Sequence, residues 1–512
     1  MWVACNLNYI IFNLLFIIYK RLDWLDSYPS KTKIMNKTIH QIGLPRLTMP
    51  NSMKFKLATF LISTLGLTAP LVHALPCLNK APADEKVLIV ETFADTLGVG
   101  IHFDQGETRE HLENLVDLGV RWVRDSEPWK RIETEPAVYR LPGDLPERLA
   151  FYKEHDIGVC FMMAYGNEKA YPEDPFNAEA YGRYVAEVAK MLRDSGVRYV
   201  IELWNEPHNF ELGPVLGGNW HGAPPSPWLD QYMKMSHAAV EAVKAEVPEA
   251  TVIVNEDVWV AHYWFAEAGL PPKLDGFSIH PYIHGPTPGP EVLHFGPEVG
   301  WAGYFTIVDE DRSLRSAIRL VAENYEEALG HKPEIWSTEW SYPIGKKLYT
   351  DGPITEEIAA AFLPRMFIIS AAYGVKVNFW HTMQDMNDGP YGLIDNDLRK
   401  RSTYYAFREL SQQVGDARLV RQISGQDHPT TGLQAYLFEG SMGHTVVAWQ
   451  IDEVGSISVE TSSSAPLRMT SHLGEPVKFQ YNNAGLPTVL LGIEPIYITG
   501  VNARSLLVEP QQ

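Results

Sequence analysis

Val200-Ile201-Glu202-Leu203-Trp204-Asn205-Glu206-Pro207 is the stretch whose reading decides the fold. Its apolar-rich opening predicts a buried parallel strand. Pro207 ends regular pairing and leaves an amide and a carboxylate at the C-terminal lip. Glu334 to Thr338 predicts a similar strand that delivers Glu339 to its own lip. In a closed barrel of alternating strands and helices, that lip is where functional side chains gather.

Outward from this stretch, a strand-then-helix rhythm recurs. Strands are predicted at Val99 to Phe103, Val120 to Arg124, Gly158 to Met163, Val197 to Leu203, Thr251 to Asn255, Gly276 to His280, Glu334 to Thr338 and Val375 to Trp380. Between them, helical spacing appears at Glu107 to Leu118, with Leu112, Leu115 and Val116 on one face, and at Leu145 to His155. Asn177 caps a helix that places Tyr181, Val185, Val188 and Leu192 together. Asn209 to Pro225 reads as a loop, and Ser226-Pro227 starts a helix to Glu246 with serine capping and proline in the first turn. Further helices are Asp311 to Leu329, closed by Gly330, and Thr355 to Tyr373. Strand–helix alternation with eight strands predicts an α/β chain whose residues 95–412 form a (β/α)8 TIM barrel. After about Gln412 helical periodicity ends. Short β-prone runs (434–438, 445–449, 456–459 and 496–499) predict a small C-terminal all-β sandwich over 413–512.

The 512 residues carry a net charge of −20. Residues 1–74 are basic on balance, so the chain from residue 75 carries −26. Such a chain has no electrostatic case for nucleic acid or an anionic membrane surface. A neutral ligand fits better, and 14 Trp with 24 Tyr supply the flat rings that sugar clefts use. Cys5, Cys77 and Cys160 lie too far apart for a disulfide framework, and no Cys/His cluster has zinc spacing.

Met53-Lys54-Phe55-Lys56 opens a basic start, followed by apolar Leu57 to Leu71 and Val72-His73-Ala74. Residues 53–74 thus read as a signal peptide cut after Ala74, which implies a secreted, periplasmic or extracellular protein. Residues 1–52 read as a non-native upstream extension. The apolar run Leu7 to Tyr19 is shorter than the ~20 residues of a spanning helix. The segment 75–94 could add a strand, Lys86 to Val90, to the β domain.

Hydrolysing a glycoside takes one protonated and one ionised carboxyl. Glu206 and Glu339 suit the two parts, each ending an apolar strand beside aromatic or amide residues. Most glutamates after a strand cap a helix or form an ion pair; the Trp-Asn-Glu-Pro context favours chemistry. Glu256, in Asn255-Glu256-Asp257, also reaches a lip, but a cleft-wall or ion-pair role suits it better. Asp385-Met386-Asn387-Asp388-Gly389 has a faint look of a calcium loop without the twelfth-position glutamate, so no metal is expected.

Trp204-Asn205-Glu206-Pro207 with Ser337-Thr338-Glu339-Trp340 resembles the clan A retaining glycoside hydrolases of (β/α)8 fold, most nearly family 39, with family 5 as neighbour. Gly276-Phe277-Ser278-Ile279-His280-Pro281-Tyr282, and Gly392 to Asp395 with Thr403 to Ala406, resemble later motifs of that group. The resemblance implies Glu206 as acid/base, Glu339 as nucleophile and Asn205 as donor to the substrate 2-hydroxyl. It also implies Tyr282 bonding the nucleophile, His280 lining the cleft, Arg124 holding Glu339 ionised and Trp380 as the floor under the scissile sugar. His102 ends the first strand and is expected to contact the sugar. Glu202 shares parity with Glu206, so it is expected to point inward and support Arg124. Each of Trp380, His280 and His102 also reads as a packed barrel residue. The expected activity is retaining hydrolysis of β-glycosidic bonds in a polysaccharide or oligosaccharide, endo-acting, by a monomer without cofactor or stable protein partner. The alternatives are an exo-acting β-xylosidase-like enzyme, a transglycosylase and a non-catalytic carbohydrate-binding protein. Loop shape around Trp129, Trp259, Trp301 and Tyr282 is expected to set the substrate.

Overall fold

The computed structural model describes residues 92–502 apart from 283–288, 298–305, 347–352, 388, 442, 453 and 463–465. The upstream extension, the signal peptide, the strand at Lys86 to Val90, Cys5, Cys77, Trp301 and Asp388 lie outside the described residues.

The barrel begins with β1 (Leu97–Gly100) and β2 (Trp122–Ser126). A two-stranded ribbon follows, β3 (Glu133–Glu135) and β4 (Val138–Tyr139). Then come β5 (Gly158–Met163), β6 (Tyr199–Leu203), β7 (Val252–Glu256), β8 (Gly276–Ile279), β9 (Glu334–Trp340) and β10 (Val375–Trp380). β1, β2 and β5 to β10 pair in parallel as a closed barrel, with β10 returning to β1. This is the (β/α)8 architecture expected.

Alternation along the strands builds the interior in layers. Trp122, Cys160, Val200, Ile253, Trp336, Val377 and Phe379 form a buried apolar cluster. Two glycines make room for it: a Cβ on Gly98 would meet the Phe379 ring at 2.5 Å, and one on Gly158 would meet Trp122 at 2.7 Å. Two residues further along their strands stand Arg124, Glu202, Asn255 and Thr338, all buried. Polar groups in such a place cost stability unless fully bonded, so this layer marks the working end.

The differences from expectation are local. β1 starts two residues earlier than predicted, and the chain passes into a short turn at Phe103–Gln105. Val116 is exposed; the helix Glu110–Leu118 instead buries His111, Leu112, Leu115 and Leu118. Asn177 caps its helix as expected, accepting from the Ala180 N–H. The serine at 226 makes no side-chain cap bond, although Pro227 does start the helix. A short helix, Leu212–Leu216, lies within the expected loop. A further helix, Trp259–Ala268, was not anticipated. Its sequence is apolar nearly all round, so it lacks the polar face that makes helical spacing visible.

The C-terminal region is all-β. β11 (Arg418–Ser424), β12 (Leu433–Gly440), β13 (Gly443–Gln450), β14 (Gly455–Ser458), β15 (Arg468–Ser471), β16 (Gln480–Tyr481), β17 (Pro487–Leu491) and β18 (Ile496–Thr499) follow in order. They make a five-stranded sheet, β11-β12-β13-β18-β15, and a three-stranded sheet, β14-β17-β16. Ala435, Leu437, Val446, Ala448 and Ile498 of the larger sheet pack with Val489 and Leu491 of the smaller one. The alternate residues Tyr436, Phe438, Val447, Trp449 and Tyr497 join the main core with the barrel helices. Both faces of the larger sheet are therefore buried, at about 1.5–3 kcal/mol for each large apolar side chain. Among the described residues no helix is long and apolar enough to cross a membrane.

Candidate active site

Successive residues of a strand point to opposite faces, yet Asn205 and Glu206 both reach the barrel mouth. The backbone explains this. Trp204 and Glu206 adopt φ of 66° and 43°, left-handed values that cost a non-glycine residue about 1–2 kcal/mol. The turn is held by Glu206 N–H donating to Asn255 Oδ1 at 2.7 Å and by the Trp204 indole donating to Phe210 O at 3.1 Å. Glu339 arrives by another route. Asn378 pairs with Ser337 but Trp380 pairs with Trp340, so β9 holds one extra residue there. Such a bulge re-aims a side chain, and Glu339 turns to the mouth directly after inward-facing Thr338.

One guanidinium organises the site. Arg124 donates from Nε to Glu202 Oε2, from Nη1 to Glu339 Oε2 and from Nη2 to Asn205 Oδ1, each at 2.7 Å. Arg124 lies mid-strand in β2 and reaches upward; Ser126 ends the strand. Glu202 is fully buried, and its other oxygen accepts from Asn255 and Ser278. With Asn205 Oδ1 taken by Arg124, its amide nitrogen faces the cavity, where it donates to the Tyr165 hydroxyl at 3.4 Å. The Tyr282 hydroxyl donates to Glu339 Oε1 at 2.6 Å.

His280 does not line the cleft. It is 2% exposed and both ring nitrogens are engaged. Nδ1 lies 2.7 Å from Glu206 Oε1, and Nε2 lies 2.9 Å from Asn255 Nδ2 and 3.1 Å from Thr338 Oγ1. Asn255 cannot be turned over, because its Oδ1 accepts the Glu206 N–H and its Nδ2 donates to Glu202. Its amide thus presents a donor to Nε2. Nδ1 donates its proton to Glu206; burial acts downward on the ring, but the charge of Glu339 and the bond to Glu206 outweigh it and raise its proton affinity. Glu206 Oε2 accepts from Asn209 at 3.0 Å.

The two carboxyls are driven apart electrostatically. Burial pushes Glu206 up, and the charge of Asp257 adds to this, against the pull of His280. Burial also acts upward on Glu339. The facing His381 and His280 rings, Arg124 and the Tyr282 hydroxyl outweigh it and hold Glu339 well below the usual carboxylate range. One oxygen of each carboxyl and a nitrogen of His280 lie within 4.8 Å of one another. A cation could be held by these three only at the expense of the bonds from Arg124, Tyr282 and His280's own partners. The pair is thereby split, with Glu206 favouring its protonated form and Glu339 its ionised one.

Beside Glu339 a cavity of 240 Å³ is walled by Arg124, Tyr165, Asn205, Phe210, His381 and His102, among others. His102 is half-buried there, with Nδ1 3.0 Å from Thr382 Oγ1. Trp380 does not form its floor. It is fully buried, its indole donating to Tyr391 O and its ring edge-on to Trp340. Parity is the reason. Phe379 takes the interior, so Trp380 faces the helices and His381 takes the cavity position. Trp129 is also a core residue, stacked on Tyr184 and bonded to Glu133. Glu256 pairs with His208 at 2.8 Å, and Asp385 with Arg401 at 2.5 and 2.7 Å. Asn255, Tyr165 and His381 were not singled out from the sequence; only the parity of a strand end after a tryptophan hinted at His381.

No protein-family model matches the chain, and no curated protein does. Solved structures do match. A family 39 glycoside hydrolase from the gut symbiont Bacteroides cellulosilyticus WH2 aligns with TM-score 0.63 at 19% identity, over 80% of this chain and 82% of that one. A GH39 enzyme from Xanthomonas axonopodis pv. citri aligns with TM-score 0.49 at 12% identity, over 79% and 93%. A glucosidase from Croceicoccus marinus aligns with TM-score 0.46 at 14% identity, over 75% and 76%. The chain shares the fold of the first.

Proposed function

We propose that the chain is a retaining glycoside hydrolase that cleaves β-glycosidic bonds by double displacement. The observation that carries this is the Glu206–Glu339 pair: oxygens within 4.8 Å, one carboxyl driven toward the acid and the other toward the carboxylate. Oxygens that approach within 4.8 Å suit the close carboxyls of retaining enzymes, roughly 5–5.5 Å apart, better than the ~6.5–9.5 Å spacing of inverting ones.

Glu339 Oε attacks the anomeric carbon while Glu206 gives its proton to the leaving oxygen, and a covalent glycosyl ester forms on Glu339. Glu206, now a carboxylate, takes a proton from water, whose oxygen attacks the same carbon and frees Glu339. Arg124 and Tyr282 hold the nucleophile, and the Asn205 amide donates to the 2-hydroxyl, a bond that strengthens in the transition state. No step calls on a metal or organic cofactor. The substrate is a β-linked polysaccharide or oligosaccharide, cut internally. Export rests on the signal-peptide pattern of 53–74 alone, and N-terminal sequencing of secreted protein tests it.

The decisive experiment follows the first-formed anomer by NMR on a glycan panel. Retention is expected, and an inverted product would overturn the mechanism. Azide separates the roles: Glu206→Ala should yield the β-glycosyl azide from the trapped ester, and Glu339→Ala the α-azide by direct attack.

A further inference from the structure

A second cavity, of 220 Å³, abuts the one beside Glu339. The two share His102, Gln105, Met386 and Asn387 in their walls, which sets them side by side. Each is below the roughly 300–1,000 Å³ of a drug-sized site, which suits one sugar ring apiece. Position fixes the direction. Glu206 stands at the end of β6, whereas the second cavity is built from the segments after β1 and β10 and lies across the Glu339 cavity from it. The leaving group departs on the Glu206 side. The second cavity therefore extends the glycone side.

Its chemistry fixes the class of sugar. Four side-chain amides line it, Gln105, Gln384, Asn387 and Asn396, each carrying both donors and an acceptor. That mixture matches hydroxyls. Gln384 is oriented by its Oε1, 2.8 Å from His111 Nε2, which leaves its amide donors for the other side. No Lys or Arg is in these walls, while Glu107 and Asp385 are. Asp385 is spent on Arg401, and Glu107 accepts the His102 N–H at 2.8 Å. Burial pushes Glu107 up to about 8, so the walls are close to neutral and give a carboxylated or sulfated ring no Lys or Arg to pair with.

We propose that this cavity is a second glycone-side subsite for a neutral sugar ring, so that the enzyme releases products of at least two residues from the non-reducing side. The proposal rests on the glycosidase reading above and deepens it.

The test compares 4-nitrophenyl β-glycosides of glucose, xylose, galactose and mannose with the matching β-1,3- and β-1,4-linked 4-nitrophenyl disaccharides. The leaving group is common to all, so any difference reports the second ring. The best disaccharide should exceed its monosaccharide by about 100-fold in kcat/KM, as remote binding energy is used at the reacting centre. Gln384→Ala and Asn396→Ala should each pull that ratio toward one. A disaccharide ending in glucuronic acid should gain nothing over the monosaccharide. Monosaccharides cleaved as fast as disaccharides, or a preference for the glucuronide, would overturn the subsite and leave the glycosidase reading standing. Hydrolysis of none of these substrates would overturn both.

Discussion

Two buried arginines, Arg124 at the barrel mouth and Arg365 under the β domain, are built from the same parts and behave differently. Arg365, on the helix Glu356–Ala372, donates from Nε and Nη2 to the two oxygens of Glu291 and from Nη1 to Ile493 O. The Trp449 indole of β13 donates to the same carboxylate. Both charged side chains are fully buried, so the cluster is closed and ties the larger β-sheet to the barrel. Arg124 also binds a carboxylate with 0% exposure, Glu202, but its other acid, Glu339, keeps 13% of its side chain exposed. A buried ion pair is costly to break and yields little net stability. Closed, it specifies how two layers dock. With one partner left open to a cavity, the same guanidinium helps to hold that carboxylate ionised.

The largest break in this comparison is at the open end. Glu339→Ala should lower kcat on the order of 10⁵–10⁶-fold, the scale of a lost nucleophile. Arg124 keeps Glu202 and Asn205, so the melting temperature should hold or rise, since active-site groups are commonly held at a cost to stability. A variant that lost stability and kept activity would reverse the roles assigned to the two clusters.

At the closed end the effect should move from rate to stability. Glu291→Gln leaves the Arg365 charge buried without its counter-charge, at a cost of about 3–5 kcal/mol. Urea unfolding should show the loss, while kcat of the folded enzyme stays within about twofold, as for a surface or docking change remote from chemistry. A large fall in kcat would mean that the β domain is coupled to the mouth.

How much of this was legible follows from range. The eight strands, Glu206 and Glu339 could be read because each is announced by its own few residues: an apolar run and a polar lip. Glu202 could be placed by counting parity within β6. Trp380 could not, because parity at the end of β10 depends on a register shift against β9, a fact about two strands at once. His280 was seen but misplaced, since its burial is set by Asn255 and Thr338 arriving from neighbouring strands. The Arg365 cluster left no local trace: Glu291, Arg365, Trp449 and Ile493 are brought together only by the tertiary fold. The polar, short strands β15 and β16 were missed for want of alternation.

Asn255 sharpens the comparison by acting on the open site through His280. Asn255→Ala removes the donor facing Nε2 and frees the ring to shift its proton away from Nδ1. The expected loss in kcat is about 10–100-fold, the scale that outer partners of histidine carry at metal sites. Long-range ¹H–¹⁵N spectra should show a proton on Nδ1 in the parent enzyme and lose it in the variant. A parent spectrum of the Nε2–H form would sink the assignment.

The smallest effect tests the electrostatic setting of Glu206. His208 is pushed up to about 11, as the charge of Glu256 and bonds to Asp257 and Glu256 outweigh burial, so it stays cationic through the assay range and offsets Glu256. Burial pushes Asp257 up to about 6. Above that pH its charge acts on Glu206, where it adds to burial in favouring the protonated form. The proposed mechanism needs Glu206 protonated and Glu339 ionised, so kcat/KM should fall as pH rises through the Glu206 pKa and as it falls through that of Glu339. Asp257→Asn removes a negative neighbour, favours the Glu206 carboxylate and lowers its pKa. The alkaline limb should therefore move to lower pH. The acid limb, set by Glu339 and its bonds to Arg124 and Tyr282, should stay in place. Rates at the optimum should change little, because Asp257 touches neither carboxyl. An alkaline limb that stays fixed, or moves to higher pH, would show that Asp257 does not set the proton affinity of Glu206.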